Sequence, residues 1–159
     1  MYRIGFGSDT HRLEENRQLI LGGIIIESDL GAVGHSDADA LFHAVTDAIL
    51  GAAALGDIGA HFSDKDERWE NADSFIFLRE AVRMIKEKNF SVANVDSVIH
   101  LEAPKLRFYI DKMRENLARA LEISIDSVSV KAKTGERVDA VGNRQAIKTE
   151  AIVLLEKLA

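Results

Sequence analysis

The sequence predicts an α+β fold, a single mixed β-sheet with helices packed on one face, and three observations carry that expectation. Segments with the two-residue period of strands open and close the chain. Segments with the three-and-four spacing of helices lie between them. The resulting order, roughly β-β-α-α-β-α-β-β, favours one sheet with its helices segregated to a side. At 159 residues the chain has the length of one domain, so 1–159 read as a single unit.

Tyr2, Ile4 and Phe6 alternate with Arg3, Gly5 and Gly7, the period of a half-buried strand, and the run ends in Ser8-Asp9-Thr10-His11. That places Asp9 and His11 at a strand's exit. Leu19 to Ile26, broken by Gly22-Gly23, predicts a hairpin or bent strand pair. From Asp37 to Leu50 the positions Leu41, Ala44, Val45, Ala48 and Ile49 follow helical spacing, with Ser36 or Asp37 as the N-cap. Beyond its first residues, the stretch from Gly51 to Ala72 carries no period and predicts a lid or binding loop. A second helix follows from Ser74 to Lys88, with Phe75, Leu78, Val82 and Ile85 on one face and Asp73 as its cap. Val95 to Leu101 predicts a strand. Pro104, the only proline, separates it from a third helix carrying Ile110, Met113, Leu117 and Leu121. Val128, Val130 and Ala132 alternate as a strand, Thr134 to Arg144 reads as a glycine-containing loop, and Ile147 to Val153 alternates as the last strand. A sheet covered on one face leaves the other bare. Oligomerisation is the expected remedy, since burying apolar surface is worth about 25 cal/mol per Å².

Lys and Arg number 20 against 26 Asp and Glu, a net charge of −6, which lacks the broad basic face that nucleic acid or an anionic membrane requires. No stretch approaches the roughly 20 apolar residues of a membrane span, and the opening MYRIGFGSDTHRL has neither region of a secretion signal. A soluble, cytoplasmic protein is expected, with no nucleic-acid or membrane partner. The absence of cysteine excludes disulfides, thiolate nucleophiles and thiolate metal sites, so a metal must be held by imidazole and carboxylate.

Asp9-x-His11 puts two ligand types on one side of a strand, a common pattern more often met at solvated strand ends. In HSDADALFH, His35 and His43 lie at the entry to the first helix and inside it. Asp39, His43 and Asp47 form a polar i, i+4, i+8 stripe that fits either a surface helix or a ligand array. Three histidines and flanking carboxylates within 47 residues match what a three-ligand zinc site with an open fourth position needs. Asp57-Ile58-Gly59 and Phe62-Ser63-Asp64 fit turns or close approach to a ligand. Ala103-Pro104-Lys105 fits a helix start or an anion contact, and Lys131 to Glu136 a charged hairpin tip or a phosphate and divalent-metal site. His61 and His100 lack ligand-like neighbours and read as structural or solvated.

Taken together, GFGSDTH at Gly5 to His11, HSDADALFHAVTDAILGAAALGDIG at His35 to Gly59, EAPK at Glu102 to Lys105 and KAKTGE at Lys131 to Glu136 resemble the 2-C-methyl-D-erythritol 2,4-cyclodiphosphate synthase family over essentially the whole chain. The resemblance implies a metal-dependent phosphorus–oxygen lyase of the non-mevalonate isoprenoid pathway. Such an enzyme cyclises 4-diphosphocytidyl-2-C-methyl-D-erythritol 2-phosphate and releases CMP. It further implies a homotrimer around a central channel, without the cytidylyltransferase domain to which some relatives are fused. By the same resemblance, Asp9, His11 and His43 hold one Zn²⁺ per subunit, and Glu136 holds Mg²⁺ or Mn²⁺ with the substrate diphosphate. His35 and Thr134 stabilise the reacting phosphates, joined by Ser36. Asp57, Ile58 and Gly59 contact ribose or erythritol, and Phe62, Asp64 and Asp66 belong to the substrate loop. Leu101, Ala103, Pro104, Lys105, Leu106 and Arg107, with Lys133, form the cytosine pocket, and Gly135 lies with Thr134 and Glu136 at the phosphates. Asn143 and Gln145 stand where this family commonly has Arg and Glu. A zinc phosphohydrolase and a non-catalytic trimeric nucleotide-binding module remain the competing readings.

Overall fold

The computed structural model describes residues 1–63 and 65–158. Its strands are β1 (Tyr2–Glu15), β2 (Leu19–Leu21), β3 (Ile24–Ile26), β4 (Leu30–Ala32), β5 (Phe90–His100), β6 (Val128–Lys133) and β7 (Ala146–Lys157). Its helices are α1 (Ala40–Ala52), α2 (Ile58–His61), α3 (Ser74–Glu87), α4 (Ile110–Leu121) and α5 (Asp139–Gly142). Five strands form a mixed sheet in the order β4-β1-β7-β5-β6, antiparallel except for the parallel pair β5–β6. The α+β class is as expected, but the sheet is not single. The Gly22-Gly23 hairpin stands apart as β2–β3, because both glycines take positive φ and give their N–H groups to the Asp39 carboxylate at 3.0 and 2.7 Å.

The helices lie on one face of the sheet, against core residues that include Phe42, Ile49, Leu78, Ile85, Ile99, Met113, Leu117 and Ile147. In β1 the side turned to them is the one with Gly5, Gly7, Asp9, His11 and Leu13, while Tyr2, Ile4 and Phe6 point outward and stay exposed. The glycines permit a close approach: a Cβ on Gly5 would lie 1.8 Å from the Ala48 carbonyl oxygen, and one on Gly7 would lie 2.0 Å from that of Ala44. Helix α1 therefore rests directly on the β1 backbone.

Several further sequence expectations need correction. Asp9 and His11 lie in mid-strand, paired with Thr149 and Ile147, because β1 continues through Leu13 to pair with β4. The first helix begins at Ala40, not Asp37, and its cap is Asp39, which accepts from the N–H groups of Leu41 and Phe42. Ala38 just before it has φ of 57°, which breaks the helical run. Asp39 is fully buried and leaves the polar stripe, so of its three residues only His43 and Asp47 keep a partly open place. The stretch 51–72 is not bare loop among its described residues. It carries α2, capped by Asp57, and a 3-10 turn at Glu67–Trp69, and it is stitched down by Asn71 N–H to His35 O and Asp37 N–H to Ala72 O. Of the remaining helices, α3, capped by Asp73, and α4, ending where Glu122 turns left-handed, run close to expectation, whereas the short α5 stands within the Thr134 to Arg144 segment expected to be a loop. Asn143 caps the end of α5, where its side chain donates to Asp139 O at 2.6 Å. Among the described residues no helix is long and apolar enough to cross a membrane.

Candidate metal centre and two cavities

Asp9 and His11 project from β1 toward α1, and His43 projects back from α1. Among the described residues they form the one group of three such side chains whose ligand atoms all lie within 4.8 Å of one another. His11 Nε2 is 2.8 Å and His43 Nδ1 3.1 Å from Asp9 Oδ2, and the two ring nitrogens are 3.3 Å apart. Gly34 makes room for the imidazole, since a Cβ there would sit 3.0 Å from the His11 ring.

The other ring nitrogens decide what this cluster can bind. His11 Nδ1–H donates to Val33 O at 2.9 Å; His43 Nε2 lies 2.8 Å from Ser74 Oγ and 3.1 Å from Ser36 Oγ, and because Ser74 gives its own proton to the Asp37 carboxylate, its oxygen is left to accept from Nε2–H. That leaves one imidazole lone pair from each histidine and a carboxylate oxygen facing a common point. Only a proton or a cation between them relieves the repulsion. Two nitrogens and one oxygen fit a borderline-soft divalent ion such as zinc, with a position to spare. Burial alone would push the Asp9 carboxyl up, but the hydrogen bonds and charges of His11 and His43 outweigh it and hold the group well below the usual carboxylate range. Burial pulls His11 down, and Asp9 more than reverses this, so that His11 is raised.

The cluster opens on a cavity of about 390 Å³ lined by His35, Ser36, Ile58, Gly59, Phe62, Trp69 and Phe77 beside His11 and His43. One wall is aromatic: Phe62 and Phe77 lie 4.7 Å apart, and Trp69 meets each edge-on at 5.5 Å. Asp47 Oδ1 accepts from Ile58 N–H at 2.7 Å and so positions α2 at the rim. Burial pushes the Asp47 carboxyl up, and the negative charges of Asp57 and Asp9 add to this. His35 Nε2 donates to Asp66 O at 3.2 Å, whereas the Asp66 carboxylate turns to the Arg68 guanidinium. Asp57 uses Oδ1 to cap α2 through Ala60 N–H. Asp64 lies outside the described residues.

A second cavity of about 310 Å³ lies at the β6 edge, lined by Leu101, Pro104, Lys105, Leu106, Arg107, Lys133 and Thr134 with Ile110, Val130 and Ala132. Ala103 is not in its lining, and Gly135 N–H ties the wall to Glu102 at 2.9 Å. Thr134 Oγ1 donates to the Glu136 carboxylate. The two cavities share no residue, so His35 and Thr134 are not brought together within the chain. Thr10 pairs with Lys148, Lys148 with His100 and His100 with Lys133, so three strand spacings, about 14 Å, separate the two ends of that row.

The reading from residues missed Ser74 and Asp37. Ser74 touches His43 and donates to Asp37, yet nothing in its spacing marks a partner 31 or 37 residues away. Of the two histidines set aside, His61 donates to Leu55 O at 2.8 Å and His100 pairs with Glu150 at 3.2 Å, both clear of the cluster.

The model of the YgbB family matches residues 2–156. A 2-C-methyl-D-erythritol 2,4-cyclodiphosphate synthase of Brachyspira hyodysenteriae is 51% identical over 155 residues, 98% of each chain. Among solved structures, a 2C-methyl-D-erythritol-2,4-cyclodiphosphate synthase in its CDP-bound form superposes with a TM-score of 0.90 at 41% identity, covering 97% of this chain and all of the other. The bifunctional IspDF of Campylobacter jejuni superposes with a TM-score of 0.95 at 36% identity, over 99% of this chain, which spans 43% of that protein.

Proposed function

Because the chain belongs to the YgbB family, we propose that it cyclises 4-diphosphocytidyl-2-C-methyl-D-erythritol 2-phosphate to 2-C-methyl-D-erythritol 2,4-cyclodiphosphate with release of CMP, as a cytoplasmic homotrimer. The observation that carries this reading is the convergence of Asp9, His11 and His43, the two histidines lining a cavity that also presents His35 and Ser36. An oxygen of the 2-phosphate attacks the β-phosphorus while the bond from that phosphorus to the oxygen of CMP breaks. One P–O bond is exchanged for another and no protein nucleophile is needed.

Asp9, His11 and His43 would hold zinc, and Glu136 would hold magnesium or manganese with the diphosphate. When bound, such ions neutralise phosphate charge and align attacking and leaving oxygens. His35 and Ser36 orient a phosphate at the cluster, and Thr134, Gly135 and Glu136 orient the diphosphate. Ile58, Gly59 and Phe62 shape the sugar subsite, and Asp57 and Asp66 are assigned to the same substrate; Asp64, assigned with them by resemblance, lies outside the described residues. Leu101, Ala103, Pro104, Lys105, Leu106, Arg107 and Lys133 take the cytosine. Confinement of a flexible substrate in a bent form supplies much of the rate, since attacker and target belong to one molecule.

The separation of the two cavities supports an assembly in which one subunit's metal centre faces another's cytosine pocket. The bare sheet face, with Ile4 74%, Phe6 60% and Ile152 51% exposed, offers the apolar surface for it. The test is incubation of purified protein with the substrate and Mg²⁺. CMP and a cyclic diphosphate in equal amounts are expected, whereas inorganic phosphate in their place would make the protein a hydrolase.

A further inference from the structure

Ser74 is the first residue of α3, is fully buried, and has one hydroxyl proton to place among several neighbours. His43 Nε2 lies 2.8 Å from its oxygen and 3.1 Å from Ser36 Oγ, the two serine oxygens are 3.4 Å apart, and an Asp37 carboxylate oxygen is in hydrogen-bond contact with the Ser74 hydroxyl. The carboxylate accepts only, so it takes the serine proton and leaves the serine oxygen to accept from Nε2–H. Asp37 is itself fixed on both sides: Oδ2 accepts the Ser74 backbone N–H at 3.1 Å and Oδ1 that of Asp39 at 3.2 Å. A serine hydroxyl by itself is indifferent to direction. Turned the other way it would donate to Nε2, and His43 would then carry its proton on Nδ1, the atom 3.1 Å from Asp9 Oδ2.

We propose that Asp37 and Ser74 are positioning residues that act through His43, Asp37 setting the direction of the Ser74 hydrogen bond so that Nδ1 meets the metal as a lone pair. This rests on the metal reading above. Partners of this kind on the far nitrogen of a ligating histidine typically contribute 10–100-fold in metal affinity. Asp37→Asn is the sharpest variant, because it keeps the shape while its amide N–H can donate to Ser74 and drive the hydroxyl proton toward His43.

The experiment measures zinc affinity by competition with a chromophoric chelator, the d–d spectrum of the cobalt-substituted protein, and the His43 tautomer of the metal-free protein by ¹⁵N NMR. Asp37→Asn and Ser74→Ala should each weaken zinc about 10–100-fold, with Asp37→Asn moving the His43 proton to Nδ1. Ser74→Thr should restore affinity and spectrum, and in a His43→Ala background Ser74→Ala should change zinc affinity no further. A role confined to the start of α3 would lower the metal-free melting temperature without moving tautomer or spectrum. That result, or unchanged zinc affinity in both variants, overturns the proposal. If Asp37→Asn does not fold, Ser74→Ala and its threonine rescue decide the matter alone. Wild-type protein that binds no zinc would instead remove the metal reading itself.

Discussion

Around Asp9, His11 and His43 the chain supplies its own supports, with Val33 O behind one histidine, Ser74 behind the other, and glycine-cleared backbone between β1 and α1. The β6 edge is different. From Lys133 to Ala140 only Thr134 and Gly135 are even half-buried, Glu136, Arg137 and Asp139 take left-handed φ, and Phe108, next in the chain to Arg107 of the cavity lining, is 93% exposed. One region is supported from within the chain, whereas the other is largely exposed and, in the proposed trimer, would be completed by a neighbouring subunit. On the proposed assembly, the contrast accounts for two cavities that are separate in one chain yet serve one substrate.

Breaking the self-supported half should cost the most. His43→Ala is expected to lower kcat/KM by about three orders of magnitude or more, the scale of a lost catalytic metal. Metal analysis should find the zinc gone while circular dichroism stays unchanged. Full zinc occupancy in that variant would count against the ligand set.

A charge on the bare sheet face should then separate the two halves. Phe6→Asp is expected to yield monomers in sedimentation that keep zinc but lose turnover by at least about 100-fold, because burying a carboxylate in an apolar contact is costly. A monomer with wild-type rate would show that one chain suffices.

Asp39 lies in the self-supported half, and burial pushes its carboxyl up to about 6, against hydrogen bonds from four backbone N–H groups and with the Asp37 charge adding to the rise. A carboxyl raised on folding favours the folded state while protonated. That contribution is present below about pH 4 and is lost as pH rises to about 6, on the order of 3 kcal/mol. Asp39→Asn has no such slope, so denaturant titrations of the metal-free proteins should show wild type losing stability relative to the variant across that window. A constant difference would mean that the four N–H groups prevail over burial.

The smallest expected effect belongs to the open half. Thr134→Ala should lower kcat and kcat/KM alike, by about 10–100-fold, if its hydroxyl serves charge that develops only in the transition state. A rise in KM alone would make it a ground-state contact.

The elements legible in the sequence were those whose signals are local. Asp73 ahead of an amphipathic run marks α3, the Met113, Leu117, Leu121 spacing marks α4, and paired glycines mark the hairpin. Where tertiary packing assigns the roles, local signals mislead. In the first half of β1, Tyr2, Ile4 and Phe6 point outward and glycines face the helix, because α1 needs the space. Asp37 reads as a cap but serves Ser74, while Asp39 takes the cap and the hairpin together. The ligand triad came from resemblance, since D-x-H and a helical histidine 32 residues later have no local reason to meet. Its supports were invisible for the same reason.

Trp69 is the chain's only tryptophan, and it forms part of the wall of the metal-side cavity against Phe62 and Phe77, the latter with its ring 6.2 Å from that of His43. All indole emission from the protein therefore originates at the site. A ligand that fills the cavity replaces water around this ring and shifts its fluorescence to shorter wavelength, whereas a bound ion with absorption in the emission range quenches it. The fold thus carries a label-free optical reporter at its chemical centre, suited to stopped-flow measurement of the order in which metal and substrate arrive.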